Sequence, residues 1–135
     1  MSQKRGTNEV NFRNSGATIP AYRVIKPSGN NTVALWDTAT AIMIGLSQEQ
    51  CDSLGAIQVA IGGTAKGQAG ASVSAGALLT GLTATGEVIE CLAGSLLATT
   101  TTAIPRTIGV ALQTGDTGAA IEVLIMPGPL RIAFA

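Results

Sequence analysis

The residues able to do chemistry are few and scattered. The chain has no histidine, which removes Ser–His–Asp and Cys–His catalysis and most zinc sites. Its two cysteines, Cys51 and Cys91, are too few for a structural zinc site. Glu87 and Glu90 have opposite strand parity and point to opposite faces of a strand. Glu49 and Asp52 would share a helix face, but as solvated acids. Asp37 and Asp116 stand in turn-like stretches, where Asp is favoured for backbone reasons. The Gly-rich run Gly62 to Gly70 invites a phosphate-loop reading. Gly62 and Gly67 have the right spacing, yet Gln68 stands where the phosphate-binding lysine is required. A connector or bulged strand is the better reading of that run. No set of groups converges on a reaction, so the expectation is a protein that is not an enzyme, with no cofactor, no metal and no small-molecule substrate.

The elements that position these residues read as β-structure. In Arg106 to Gly128, Ile108, Val110 and Leu112 alternate with Thr107, Gly109, Ala111 and Gln113. After the break Thr114 to Gly118, Ile121, Val123 and Ile125 alternate in the same way. Two period-2 runs about a Gly/Asp turn predict a β-hairpin with one buried face.

This hairpin has a partner upstream. A step of 64 residues lays Ile108-Gly109 on Ile44-Gly45, and Ile121 to Ile125 on Ile57 to Ile61. At an offset about ten residues shorter, Val73 to Leu79 lies over Ile19 to Ile25, and Val88-Ile89 over Val33-Ala34. The matched order indicates a duplicated β-unit, the first about 19–63 and the second about 73–127, the second with a longer insertion.

Length predicts one domain, large enough to fold without a metal or disulfide. Charged residues make up 12% and aromatics 3%, and the net charge is zero. So few charges protect a monomer poorly against association, so part of the surface is expected to be covered by an oligomer or a partner. Charge is uneven: Lys4, Arg5, Arg13, Arg23 and Lys26 face only Glu9 in residues 1–26. No basic cluster is interleaved with aromatics, which argues against nucleic acid. The N-terminus has no apolar core of a secretory signal and no run is long enough to span a membrane, so synthesis in a reducing cytosol with free, buried cysteines is expected.

Residues 1–17 lack sustained periodicity and read as an extended arm, ordered only when it lies on something, with Phe12 either an exposed anchor or tucked back onto its own body. Residues 18–135 form the β domain. Ile19 to Lys26, Thr32 to Trp36, Ile42 to Leu46, Ala56 to Ile61, Val73 to Thr80 and Glu87 to Leu92 read as strands. Ser47 to Gly55 is the one helical signal, with Ser47 as cap, Gln50 in the capping-box position and Gly55 as stop; Cys51 and Leu54 would face inward. The Thr run 99–102 is β-compatible with weak register, and the prolines from Pro127 exclude a central strand.

The runs Ala69 to Thr80, Gly86-Glu87-Val88, Arg106 to Leu112, Gly118 and Ile121-Glu122-Val123 resemble the tailed-bacteriophage capsid decoration (cement) proteins, over roughly residues 15–128. These motifs are small apolar residues and turn glycines that mark a fold rather than a site. The resemblance implies an all-β body, a small β-barrel or β-tulip, here with an extended N-terminal arm and one short helix. It further implies homotrimers at three-fold positions on the outer capsid surface of the virion, bound to the major capsid protein and stabilising the expanded head. On that reading the arm is expected to contact the capsid through Lys4, Arg5, Phe12 and Arg13, and Trp36, Ile42, Ile44 and Leu46 to pack between protomers. The rival expectation is a β-domain of a tail fibre, spike or adhesin that binds a host surface; the scarcity of aromatic side chains for stacking on carbohydrate weighs against it.

Overall fold

A computed structural model of the chain describes residues 8–38, 41–83, 85–91 and 106–129. The described residues are all-β, without a helix. The strands are β1 (Asn8–Asn14), β2 (Val24–Gly29), β3 (Thr32–Leu35), β4 (Gly45–Ser47), β5 (Ala56–Gln68), β6 (Leu78–Gly81), β7 (Val88–Glu90), β8 (Arg106–Ala111) and β9 (Ala120–Pro129). Their order in the sheet is β1-β3-β2-β4-β5-β9-β8-β6-β7, and β1 also pairs with β5. The first five strands therefore close into a barrel, which leaves them no free edge.

The hydrogen-bond register recurs along the chain. Val24 opposes Leu46 as Leu78 opposes Val110, and Ser47 opposes Val59 as Ala111 opposes Val123. Pro27 faces Val33 as Gly81 faces Val88. The isolated bridge Ile19–Cys51 recurs as Val73–Gly115. Two features extend the repeat beyond its expected limits. The pairing of Phe12 with Ile57 recurs as Gly67 with Ile121. The parallel pair Asn14–Val33 recurs as the bridge Ala69–Val88. So β1 is the first strand of the first unit, and the long strand β5 is shared. Its N-terminal half is the last strand of one unit and its C-terminal half the first strand of the next. A bulge marks the handover: Asn8 pairs with Gly62 but Glu9 with Ala60, and Gly63 has φ +73°. The Gly-rich run is thus a bulged strand.

Buried residues fall into two clusters. The first barrel is filled by Ile19, Ile25, Val33, Cys51, Ile57 and Val59, with Phe12, Leu35 and Ile44 against them. Their repeat partners Val73, Leu79, Val88, Ile121, Val123 and Ile108 fill the second unit, joined by Val24, Trp36, Met43, Leu46 and Ala60 reaching across from the first. Burying each large aliphatic side chain is worth about 1.5–3 kcal/mol. Gly45 and Gly109 mark the same close approach in both units: a Cβ at either would run into the carbonyl of the facing strand, of Ala60 or of Leu124.

Several local expectations change. Ser47 to Gly55 is not helical. Ser47 ends β4, and its buried hydroxyl donates to the Pro20 carbonyl (2.8 Å) and accepts from the Arg23 amide (3.0 Å), so it is not free to cap. Cys51 pairs with Ile19 through two 2.8 Å backbone bonds, and Leu54, at φ +64°, is 62% exposed rather than inward. A nine-residue stretch has little helical stability to set against such pairing. The strand expected over Ile19 to Lys26 is broken by a turn at Ala21-Tyr22, with Tyr22 at φ +64°. In β8 the alternation fails at a bulge between Thr107 and Gly109, so that Thr107, Ile108 and Ala111 are buried and Leu112 is exposed. β9 runs on to Pro129, pairing there with β8 alone among the described residues, an edge that tolerates proline. The Thr run and the tail from Leu130 lie outside the described residues.

Candidate interaction surface

The described surface presents charged and apolar exposures. Among the described residues no group of three or more His, Cys, Asp or Glu could hold a metal ion. Cys51 and Cys91 are both free thiols, and burial raises the pKa of each. One ion pair joins Lys26 and Asp37 at 2.6 Å on the outer face of the first barrel. The Lys26 ammonium, followed by the Thr38 hydroxyl, lowers the Asp37 carboxyl below its ordinary value.

The residues expected to touch partners separate into different environments. Lys4 and Arg5 lie outside the described residues. Residues 8–14, expected as part of the arm, are instead a strand of the barrel, β1, paired with β3 and β5. Asn14 anchors its end: its buried side chain donates to the carbonyls of Ala17 (2.9 Å) and Asp52 (3.1 Å) and accepts from the Gly16 amide (3.0 Å). Phe12 turns inward, half-buried against the first cluster, while Arg13 stays exposed. Trp36 and Leu46 are 2% and 0% exposed, so both pack inside their own chain. Ile42 is 56% exposed and Ile44 half-buried, which keeps these two available to a neighbour.

Trp36 has a definite seat. It leaves the end of β3 and lies on β6 of the second unit, where a Cβ at Gly81 would stand 2.6 Å from its ring. Its indole N–H donates to the Ala41 carbonyl at 2.9 Å. Polar groups seal the same junction. Arg23 donates to the Thr85 carbonyl (2.9 Å) and to Gln68 (3.3 Å), and Gln68 donates to Glu87 (3.2 Å).

At the far mouth of the first barrel, Phe12, Pro27, Asn31, Val33, Ile44 and Ile61 line an open, largely apolar groove of about 460 Å³. Of these, sequence reasoning singled out Phe12 and Ile44 as contacts and passed over Pro27 and Ile61. The available signal was the repeat itself. Phe12 and Pro27 become Gly67 and Gly81 in the second unit, and such large-to-glycine exchanges mark a surface that another element covers.

No family model matches the sequence, and no curated protein matches it. The fold does have a counterpart among solved structures. It superposes on the N base of head fibre gp8.5 of bacteriophage phi29 with a TM-score of 0.63 and 16% identity, over 93% of this chain and 99% of that one. The all-β architecture described above is therefore similar to that of a phage head-fibre base.

Proposed function

We propose that the protein is a structural component of a phage virion, attached to the outside of the head as a decoration (cement) protein. The observation that carries this reading is the likeness of fold to the phi29 head-fibre base over nearly the full length of both chains. The resemblance of its turn-glycine and small-apolar motifs to decoration proteins supports the same reading, as does a low charge content suited to a covered surface. Its partners are the major capsid protein and copies of itself, as a homotrimer at three-fold and quasi-three-fold positions, and it is made in the host cytoplasm. It carries out no reaction.

The mechanism is mechanical. A closed barrel with a rigid neighbouring unit deforms little, so a trimer gripping several capsid subunits resists their separation under the pressure of packaged DNA. Each contact can be weak, because subsequent contacts form at high effective concentration. Co-sedimentation with heads lacking this protein, before and after expansion, tests the reading. Saturable binding to expanded heads near one trimer per three-fold site is expected. Absence of binding to either form contradicts it and favours the tail fibre, spike or adhesin.

A further inference from the structure

The two units differ in one respect that their shared register makes easy to locate. In the second unit the mouth of the barrel is covered. Trp36 and Met43 of the first unit lie on Gly81, at 2.6 and 3.2 Å from a Cβ built there, and Leu35 lies on Gly86 at 2.7 Å. The repeat partners of Gly81 and Gly86 are Pro27 and Asn31, and both line the open groove of the first unit. Exposure follows the same division. Ile125 is 5% exposed and Ile108 is 0% exposed, whereas their partners Ile61 and Ile44 are 37% exposed and half-buried. One mouth is thus capped by the connection between the third and fourth strands of the preceding unit, and the other, built on the same register, is open among the described residues.

We propose that the groove lined by Phe12, Pro27, Ile44 and Ile61 receives a second copy of this chain, which inserts the connection that follows β7. In sequence, residues 92–105 lie between β7 and β8 as Trp36 to Met43 lie between β3 and β4, and the stretch is longer. It carries Leu92, Leu96 and Leu97 and no charged residue, a composition that suits an apolar groove. The contact between copies repeats the contact already present between units within one chain. It is heterologous, one surface meeting a different one, so successive copies form a ring when the rotation closes. The inference deepens the self-association in the proposed function and supplies its contact.

The test uses the full chain, without heads, so its failure leaves head binding untouched, and failed head binding leaves it standing. Two variants are made: Ile61→Glu in the groove, and Leu96→Glu with Leu97→Glu in the inserted segment. Oligomeric state is followed by light scattering on size exclusion, with thermal melts to confirm that both variants fold. Each variant alone is expected to assemble at least about tenfold more weakly than the unaltered chain. Mixed in equal amounts, they are expected to form a heterodimer, because one intact groove and one intact segment remain between them. A monomeric unaltered chain, a variant that assembles normally, or a mixture that stays monomeric each overturns the proposal. The last result would place the segment in the groove of its own chain, or elsewhere.

Discussion

Trp36 and Gly81 are complementary surfaces of the two units: the indole fills the space that any side chain at position 81 would need, with ring carbons 2.6 and 2.7 Å from a Cβ there. Gly81→Ala is therefore expected to push the ring out of its seat and cost about 1–3 kcal/mol, the usual range for overpacking. Trp36→Ala empties the seat and is expected to cost about 3–5 kcal/mol. Trp36 is the sole tryptophan, so its emission reports the change directly. A red shift in Gly81→Ala, with an earlier denaturant midpoint, is the expected result.

Asn14 closes the end of β1 from a fully buried position, donating to the carbonyls of Ala17, Cys51 and Asp52 and accepting from the Gly16 amide, bonds that the side chain of its repeat partner Ala69 cannot make. Asn14→Ala leaves the Gly16 amide and the carbonyls of Ala17 and Asp52 without this partner. The expected loss is about 1–3 kcal/mol, read by chemical denaturation.

The same turn is built from different residues in the two units. Leu54 at φ +64° corresponds to Gly118 at φ +88°. A leucine held left-handed costs roughly 1–2 kcal/mol, and this one is 62% exposed, so it recovers little by burial. Glycine relieves that strain but adds freedom to the unfolded chain. Leu54→Gly is expected to leave the melting temperature unchanged or raise it slightly; a marked fall would show that the side chain packs in an assembly.

The Lys26–Asp37 pair gives a signed pH dependence. Lys26 lowers the Asp37 carboxyl below its ordinary 3.8, so the pair's contribution is fully present above that pH and lost as pH falls through the lowered value. Asp37 is half-exposed, so the effect is small. The stability difference between the unaltered chain and Asp37→Asn is expected to be constant at neutral pH and to vanish in acid below 3.8.

Much of the fold was legible because the hydrophobic pattern recurs along the chain. Ile57 to Ile61 over Ile121 to Ile125 gave the matched strands, and Val73 over Ile19 gave the matched bridge. What escaped was set by non-local pairing. Ser47 to Gly55 has local helical signals, but the Ser47 hydroxyl and the Cys51 backbone are taken by Pro20, Arg23 and Ile19, far away in sequence. Residues 8–14 have no hydrophobic period of their own, since Asn8 to Asn11 are exposed, and they become a strand because β5 offers an edge. The surface was less legible than the fold. Trp36 and Leu46 are large and apolar wherever they pack, and only the neighbouring unit decides that they face inward.

The placement of β1 changes how the proposed arm contact is tested. Removing residues 1–17 would remove a strand of the closed barrel and abolish binding by unfolding. Removing residues 1–7 spares β1 and takes away Lys4 and Arg5. On the proposed reading this shorter deletion weakens binding to expanded heads and flattens its salt dependence, with the melting temperature unchanged. Unaltered head affinity would exclude the basic arm as the contact.

The central claim, attachment to the outer surface of a head, is tested most directly by an electron cryomicroscopy map of expanded heads saturated with the protein. The account predicts three-fold density outside the shell at three-fold and quasi-three-fold positions, each lobe fitted by the tandem β-units. A shell bare at those positions, or density confined to the tail, would contradict it.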